Sequence, residues 1–343
     1  MTPLALTTLL LTIAFALVFN LANGWNDAAN AVATVVSTRV LSPAKAVIFG
    51  AVLNFVGALF SSAVARTVGL DIASAEVLKA QGGGIFLAAV MTAPIWITWC
   101  SRRGLPNSCS HALLGALIGA VIAASGFGLH GLKMDGIAKI VFGVMVCPVA
   151  GFVAGNLLAR LVTVIARGMR PSRATAVFGR LQLLSAGAMA FAHGTGDGQK
   201  AMGIISGALL AAGLTHPAIG QDFTIPFWVR IVCAIAMACG TSLGGWHVMR
   251  TLGSRLVHLR TYQGFSAETA AATTILINTL GGIPISTTHS ITGAIMGVGA
   301  ANGIKAVRWG VGRKIVFAWI VTFPICIVAG ALVLVLLRAI GIH

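Results

Sequence analysis

Asn23-Gly24-Trp25-Asn26-Asp27-Ala28-Ala29-Asn30 stands in the middle of an otherwise apolar run covering residues 4–38. Ala192-His193-Gly194-Thr195-Gly196-Asp197-Gly198-Gln199-Lys200 repeats the arrangement inside the run 174–214, with Asp197 answering Asp27. A second pair follows the same rule. Gly104-Leu105-Pro106-Asn107-Ser108-Cys109-Ser110-His111 matches Gly282-Ile283-Pro284-Ile285-Ser286-Thr287-Thr288-His289, with Pro284 answering Pro106. Each leads into a segment rich in small residues, Gly115-Ala116 and Gly293-Ala294. Both separations are close to half of the chain, so the sequence reads as one unit, duplicated.

Composition says what kind of unit this is. Hydrophobic residues make up 57% and charged residues 9%, with mean hydropathy +0.96. A soluble domain carries about a quarter charged residues. A soluble enzyme, a disordered chain and a disulfide-stapled secreted fold are excluded, and a polytopic membrane protein remains. The six cysteines form no CxxC pair, and no His/Cys cluster has metal-ligand spacing, so neither a resident metal nor a cofactor is expected. The N-terminal apolar run lacks a basic stretch before it and reads as a first membrane helix.

The expected architecture is all-α and polytopic, with about 10 and at most 12 transmembrane helices in two inverted-topology repeats. Apolar segments fall at 4–38, 45–66, 83–101, 105–125, 137–166, 174–214, 225–246, 264–280, 283–301 and 312–340. The runs 4–38 and 174–214 are longer than the roughly 20 residues of one crossing. Their polar centres predict interrupted helices. The run 312–340 is either one tilted helix or two pieces broken near Pro324, and Trp246–Arg260 reads as a helix end lying on the inner interface.

Lysine and arginine then orient the chain. With the N- and C-termini outside, the inner loops hold 16 of the 23 basic residues and no acid. They carry Arg39, Lys45, Arg102, Arg103, the arginines of 160–180 and 250–260, and Lys305–Lys314. Outer loops mix Arg66, Lys79, Lys133, Lys139 and Arg230 with Asp71, Glu76, Asp135 and Asp222. The net +16 is therefore a topology signal, not a nucleic-acid footprint. Residues 1–166 form the first repeat, 167–180 a short basic cytoplasmic linker and 181–343 the second repeat. Five segments per half make the second half upside down relative to the first. That is the layout of secondary transporters, whose substrate sites lie at the midplane where the halves meet.

Only Asp27, Asp197 and Glu268 place acid inside spans. Each costs roughly 2.5–3.5 kcal/mol to insert, so such groups face a bundle interior or wet cavity. Asp27 and Asp197 are repeat mates; Glu268 has no acidic mate. They read as cation ligands, proton carriers or substrate contacts, alongside the alternative of a structural carboxylate capping a broken helix. The proline–serine motifs open helices, where Pro needs no N–H partner and the dipole's positive end attracts an anion. Ser108, Ser110, Ser286, Thr287 and Thr288 supply hydroxyls there. His111 and His289 are proton-relay candidates, alongside the alternative of a structural hydrogen bond. Gln199, Lys200 and Cys109 are weaker site candidates. An anion beside two carboxylates requires a neutralising H+ or Na+. A carboxylate also favours an anion that still carries a proton, hence phosphate over sulfate.

Together the four motifs resemble the inorganic phosphate transporter family, most of all its bacterial low-affinity, proton-coupled branch. The resemblance implies inverted repeats, a homodimer and a bacterial inner-membrane location. It also implies phosphate and coupling-ion contacts at Asn26, Asp27, Asn30, Asp197, Ser108, Ser110, Ser286, Thr287 and Thr288, and in that branch carriage of phosphate as a neutral complex with a divalent metal. Two departures stand out: Gly196, where the family usually has Asn, and Asn107-Ser108-Cys109, with a thiol for a hydroxyl. The expected function is phosphate symport with H+, or with Na+, by alternating access. A sulfate/H+ symporter and an anion channel are the alternatives. No nucleophile–base–orienter set points to an enzyme.

Overall fold

The computed structural model describes residues 2–215 and 223–342. They are helical almost throughout, with one isolated β-bridge, Ala73–Leu132. The α-helices are α1 (Pro3–Ser37), α2 (Pro43–Phe60), α3 (Ala63–Leu70), α4 (Ala75–Arg102), α5 (Cys109–Ala124) and α6 (Met134–Arg167), then α7 (Pro171–Ala211), α8 (Phe227–Leu243), α9 (Trp246–Arg250), α10 (Thr261–Leu280), α11 (Thr287–Ala301) and α12 (Trp309–Ala339). Each of the expected apolar segments is mainly helical. Six of these helices are long and apolar enough to cross a bilayer, or seven when α8 with α9 and its π-helical turn, bent against each other, are counted as one span. Asp222 lies outside the described residues.

Start signals are local. Thr2 caps α1 by accepting from the Ala5 amide at 3.2 Å. Pro3, Pro43 and Pro171 each open a helix. Because α7 begins at Pro171, the connection between the halves shrinks to residues 168–170; the expected linker 167–180 is mostly helix. Pro324 does not break α12, which runs unbroken from Trp309 to Ala339.

The expected interruptions of α1 and α7 are absent. Both run continuously through their polar centres for 35 and 41 residues, about 52 and 61 Å. Asparagine, aspartate and glycine are weak helix formers, but hydrogen bonds from other helices satisfy these side chains and the backbone keeps its ladder. The breaks fall one helix later. Ser61 and Ser62 separate α2 from α3, and Gly244 and Gly245 separate α8 from α9 at a 58° bend. Residues 246–260 accordingly are not a surface helix. Leu252 and Leu256 are buried in the second piece of that bent pair, Trp246–Leu256, which packs along α1, and Val257 and Leu259 are buried just beyond it.

Packing has a two-fold pattern. α1 packs on α8 as α2 packs on α7, and α5 packs on α12 as α11 packs on α6. Glycines set the closeness of the second pair. A Cβ on Gly119 would collide with the Ile327 carbonyl, and one on its mate Gly297 with the Phe152 carbonyl. Gly115/Gly119 and Gly293/Gly297 are small-xxx-small stripes, which bring membrane helices into backbone contact where no hydrophobic effect drives them together.

Loops segregate to two ends. Arg39, Arg167, His258 and Arg260 line one groove. At the other end Lys79 shares a groove with Thr2, Ala211 and Gly341, and Asp71 pairs with Lys139 at 3.7 Å. α5 leaves the centre towards the second end, where Arg338 donates to the Ala123 carbonyl. α11 leaves towards the first, where Gly299 meets Val257.

Candidate functional site

Asp27 and Asp197 sit about two-thirds of the way along α1 and α7, where α5 and α11 begin. Two donors and an imidazole nitrogen converge on their facing Oδ2 atoms. Thr287 Oγ1 lies 3.4 Å from both. Asn23 finds acceptors only with its amide nitrogen turned inward, and it then donates to both at 3.2 Å. His193 Nε2 lies 3.6 Å from Asp27 and 3.7 Å from Asp197. The ring is fixed from behind, where the Asn54 carbonyl oxygen accepts from Nδ1 at 2.9 Å. In the neutral ring that bond leaves Nε2 with a lone pair turned towards both carboxylates. One ligand atom from each of Asp27, His193 and Asp197 lies within 4.8 Å of the others, so the trio could hold a metal ion. No spacing rule along the chain predicted a ligand cluster, because residues from both halves build it.

The outer carboxylate oxygens differ. Asp27 Oδ1 accepts from Asn26 Nδ2 at 2.6 Å and from Thr288 Oγ1 at 3.2 Å. Asp197 Oδ1 instead takes the Lys200 ammonium at 2.5 Å. Three residues past each aspartate, mates bond mates: Asn30 Nδ2 donates to Thr288 Oγ1 at 2.9 Å, and Lys200 Nζ donates to Ser110 Oγ. Ser110 donates its own hydrogen to the Ile285 carbonyl at 2.8 Å. Cys109 Sγ approaches Asn26 Nδ2 at 3.4 Å, and Ser101 donates to Asn26 Oδ1. The structure thus brings together Asn26, Asp27, Asn30, Cys109, Ser110, Asp197, Lys200, Thr287 and Thr288. All of them are at most 2% exposed, so this cage is closed towards both ends.

Ser108 and Ser286 serve the helices themselves. Each accepts from the amide three residues on, at 3.1 Å from His111 and 3.2 Å from His289. This capping leaves the amides of Cys109 and Ser110, and of Thr287 and Thr288, without intrahelical partners at the positive ends of two helices.

Other candidates lie elsewhere. Glu268 accepts from Thr34, from Ser185 and, at 3.1 Å, from Gln182. Thr34 is two turns beyond Asp27, about 10 Å along α1. With no repeat mate, Glu268 is held by a set of its own. His111 and His289 turn their rings to each other, centroids 4.4 Å apart and edge to face, with the His289 ring 3.8 Å from that of Trp319. Their rings pack between helices, away from the carboxylates. Gln199 ties down the break before α3, accepting from the Val64 and Ala65 amides at 2.7 and 3.2 Å.

Asn23, His193, Asn54 and Asn107 escaped the sequence reading. Asn23 and His193 precede their aspartates by four residues, one helical turn and thus on the same face. That spacing would have found them had the runs been read as unbroken helices. Asn54 carries no local signal at all, since it acts from α2 on a ring in α7. Asn107 is fully buried beside Ser108 with both amide atoms unpartnered.

Residues 23–330 match the phosphate transporter family. A probable low-affinity inorganic phosphate transporter of Bacillus subtilis is 40% identical over 339 residues, covering 98% of this chain and 99% of the relative. One of Rhizobium meliloti is 42% identical over 332 residues, 96% of each. A solved structure described as the sodium-dependent phosphate transporter superposes with TM-score 0.84 at 25% identity, over 97% of this chain and all of that one. Helices able to cross a bilayer, two buried carboxylates shared across the halves, and similarity along nearly the whole chain lead to one statement: this chain is a multi-pass membrane protein and belongs to the phosphate transporter family, whose named relatives are transporters and not enzymes.

Proposed function

We propose that the protein imports inorganic phosphate together with a cation, with H+ as the coupling ion, by alternating access between the two ends of the cage. The observation that carries this reading is the charge balance of a closed site. Two carboxylates face each other and one ammonium, Lys200, is tethered to Asp197. Two carboxylates against one ammonium leave one negative charge over in a water-poor interior, where like charges repel strongly. A phosphate can enter only when a cation offsets that charge. The groups around the pair offer a sodium ion few free lone pairs. Asn23, Asn26, Thr287 and Thr288 all point hydrogens at the carboxylates, whereas a sodium ion needs several lone pairs. His193 Nε2 stands between the two carboxylates, 3.6 Å from Asp27 and 3.7 Å from Asp197.

The anion is assigned to the free amides opening α5 and α11, the Asn107 side chain and the hydroxyls of Ser110, Thr287 and Thr288. Asp27 and Asp197 accept a hydrogen bond from the proton that hydrogen phosphate still carries. Two inverted repeats fit the exchanged packing of α5 and α11, and the charge pattern supports both termini outside a bacterial inner membrane. A homodimer and carriage of phosphate as a metal complex follow from the family resemblance.

A Na+ reading is the alternative: the Asp27–His193–Asp197 trio supports it, as does likeness to a transporter described as sodium-dependent. Proteoliposomes separate the two. Acidifying the outside should drive uptake of labelled phosphate without Na+; uptake driven only by a Na+ gradient would overturn the proton assignment. Sulfate uptake in place of phosphate would remove the substrate, and currents that follow the phosphate gradient alone would make the protein a channel.

A further inference from the structure

Four basic side chains crowd the end of α4 and the start of α12 without a counter-charge. Arg102 and Arg103 finish α4, and Arg313 and Lys314 lie in the first turns of α12. All four are exposed, and among the described residues no carboxylate pairs with any of them. Each pair heads an apolar groove. The groove of Arg102 and Arg103, about 610 Å³, is walled by Phe15, Val18 and Met91 of α1 and α4. That of Arg313 and Lys314, about 660 Å³, is walled by Trp96, Phe317 and Val321 of α4 and α12.

Trp99 is the partition: it lines both grooves and stacks on Trp96 with ring centroids 5.0 Å apart. The Arg103 guanidinium sits 4.0 Å above its ring, which holds the arginine in place over the apolar wall. Charge bias of the loops accounts for basic residues at this end of the protein. It does not account for pairs of them seated at the mouths of two grooves divided by an indole. Guanidinium groups bind phosphate bidentately, and basic pockets between membrane helices suit acidic lipid headgroups.

We propose that these grooves bind an acidic phospholipid of the leaflet on the basic-loop side. Its headgroup phosphate rests on Arg102, Arg103, Arg313 and Lys314, and its acyl chains run on either side of Trp99. The site reaches the transport cage through one short connection. Leu105 lines the second groove, and the segment it belongs to joins Ser101, which holds Asn26, to Ser108, which caps α5. A bound lipid therefore steadies the connection that positions the first serine motif.

Native mass spectrometry of the full-length protein with dioleoyl phosphatidylglycerol or dioleoyl phosphatidylcholine tests this. The wild type should retain phosphatidylglycerol selectively, and R102Q/R103Q/R313Q/K314Q should weaken that retention at least about tenfold. The variant R167Q/R170Q/R173Q/R180Q, with the same change in charge, should retain it as the wild type does. Equal loss in both variants would reduce the site to general attraction by basic loops and overturn the proposal. So would equal retention of phosphatidylcholine, displacement of the lipid by millimolar inorganic phosphate alone, or a dimer that covers the face and excludes lipid. The double variants R102Q/R103Q and R313Q/K314Q, each expected to lose part of the retention, carry the test if the quadruple one does not fold.

Discussion

The two halves put the same geometry to different chemical use. Asn30 and Lys200 occupy mated positions, and each reaches the third hydroxyl position of the opposite half's serine motif, Thr288 or Ser110. One is a neutral amide, the other an ammonium. Asp27 is therefore surrounded by amides and hydroxyls, while Asp197 is already ion-paired. The second half also contributes Thr287 to both carboxylates, where the first half offers the thiol of Cys109 to an amide. In the coupling scheme proposed above, the unequal charges separate two jobs: Asp197 anchors the fixed Lys200 ammonium, and Asp27 exchanges the mobile cation.

That division can be broken by substitution. Asp27→Asn should abolish proton-driven phosphate uptake, on the order of 100-fold or more, while the folded protein remains; unaltered uptake at saturating proton gradient would remove Asp27 from coupling. Asp197→Asn should cost stability as well, because it strands the Lys200 ammonium in a dry interior, at about 3–5 kcal/mol. A thermal melt of the two variants side by side reads the difference, and equal melting temperatures would erase the distinction. Lys200→Asn makes the halves alike. Uptake should fall roughly tenfold with protons alone, and a Na+ gradient should begin to stimulate it as the second carboxylate opens.

Gly119→Leu and Gly297→Leu probe the frame instead of the chemistry. Each should destabilise by about 1–3 kcal/mol, and by similar amounts, since both insert a side chain against a partner backbone. A large inequality in their melting temperatures would show that the two-fold packing is unequal in strength. Cys109→Thr should change uptake least, within about threefold, because it only returns a hydroxyl to a place where its mate carries one.

Much of this was legible in the chain. Repeats, helix content, the segregation of basic loops and most members of the cage could be read from spacing, charge and motif. The breaks could not. Glycine and asparagine within an apolar run argue locally for unwinding, yet hydrogen bonds reaching in from α2, α4 and α11 outweigh that propensity around Asp27 and Asp197. Ser61-Ser62, which separates α2 from α3, carries no stronger local signal. Placing the breaks at the aspartates hid Asn23 and His193, which join the site only because the helix continues through them. The direction of His111 and His289 was hidden for a different reason. They follow Ser108 and Ser286 by one turn, but which way a ring points on a buried helix depends on neighbours such as Trp319 that sequence distance conceals.

The exchanged pairing of α5 with α12 also sets a schedule for synthesis. Ala124 closes α5, and Trp309, which opens α12, comes more than half the chain later. At a synthesis rate of about 5–20 residues per second, α5 waits about 10–40 s for the helix that covers its glycine face. The first half thus enters the membrane unfinished, with the Gly115–Gly119 stripe open to lipid or to a chaperone. Its completion coincides with the arrival of the last helix. Truncations anywhere before α12 should leave both halves incomplete, and quality-control proteases would meet one long-lived half-built species instead of a series of stable intermediates.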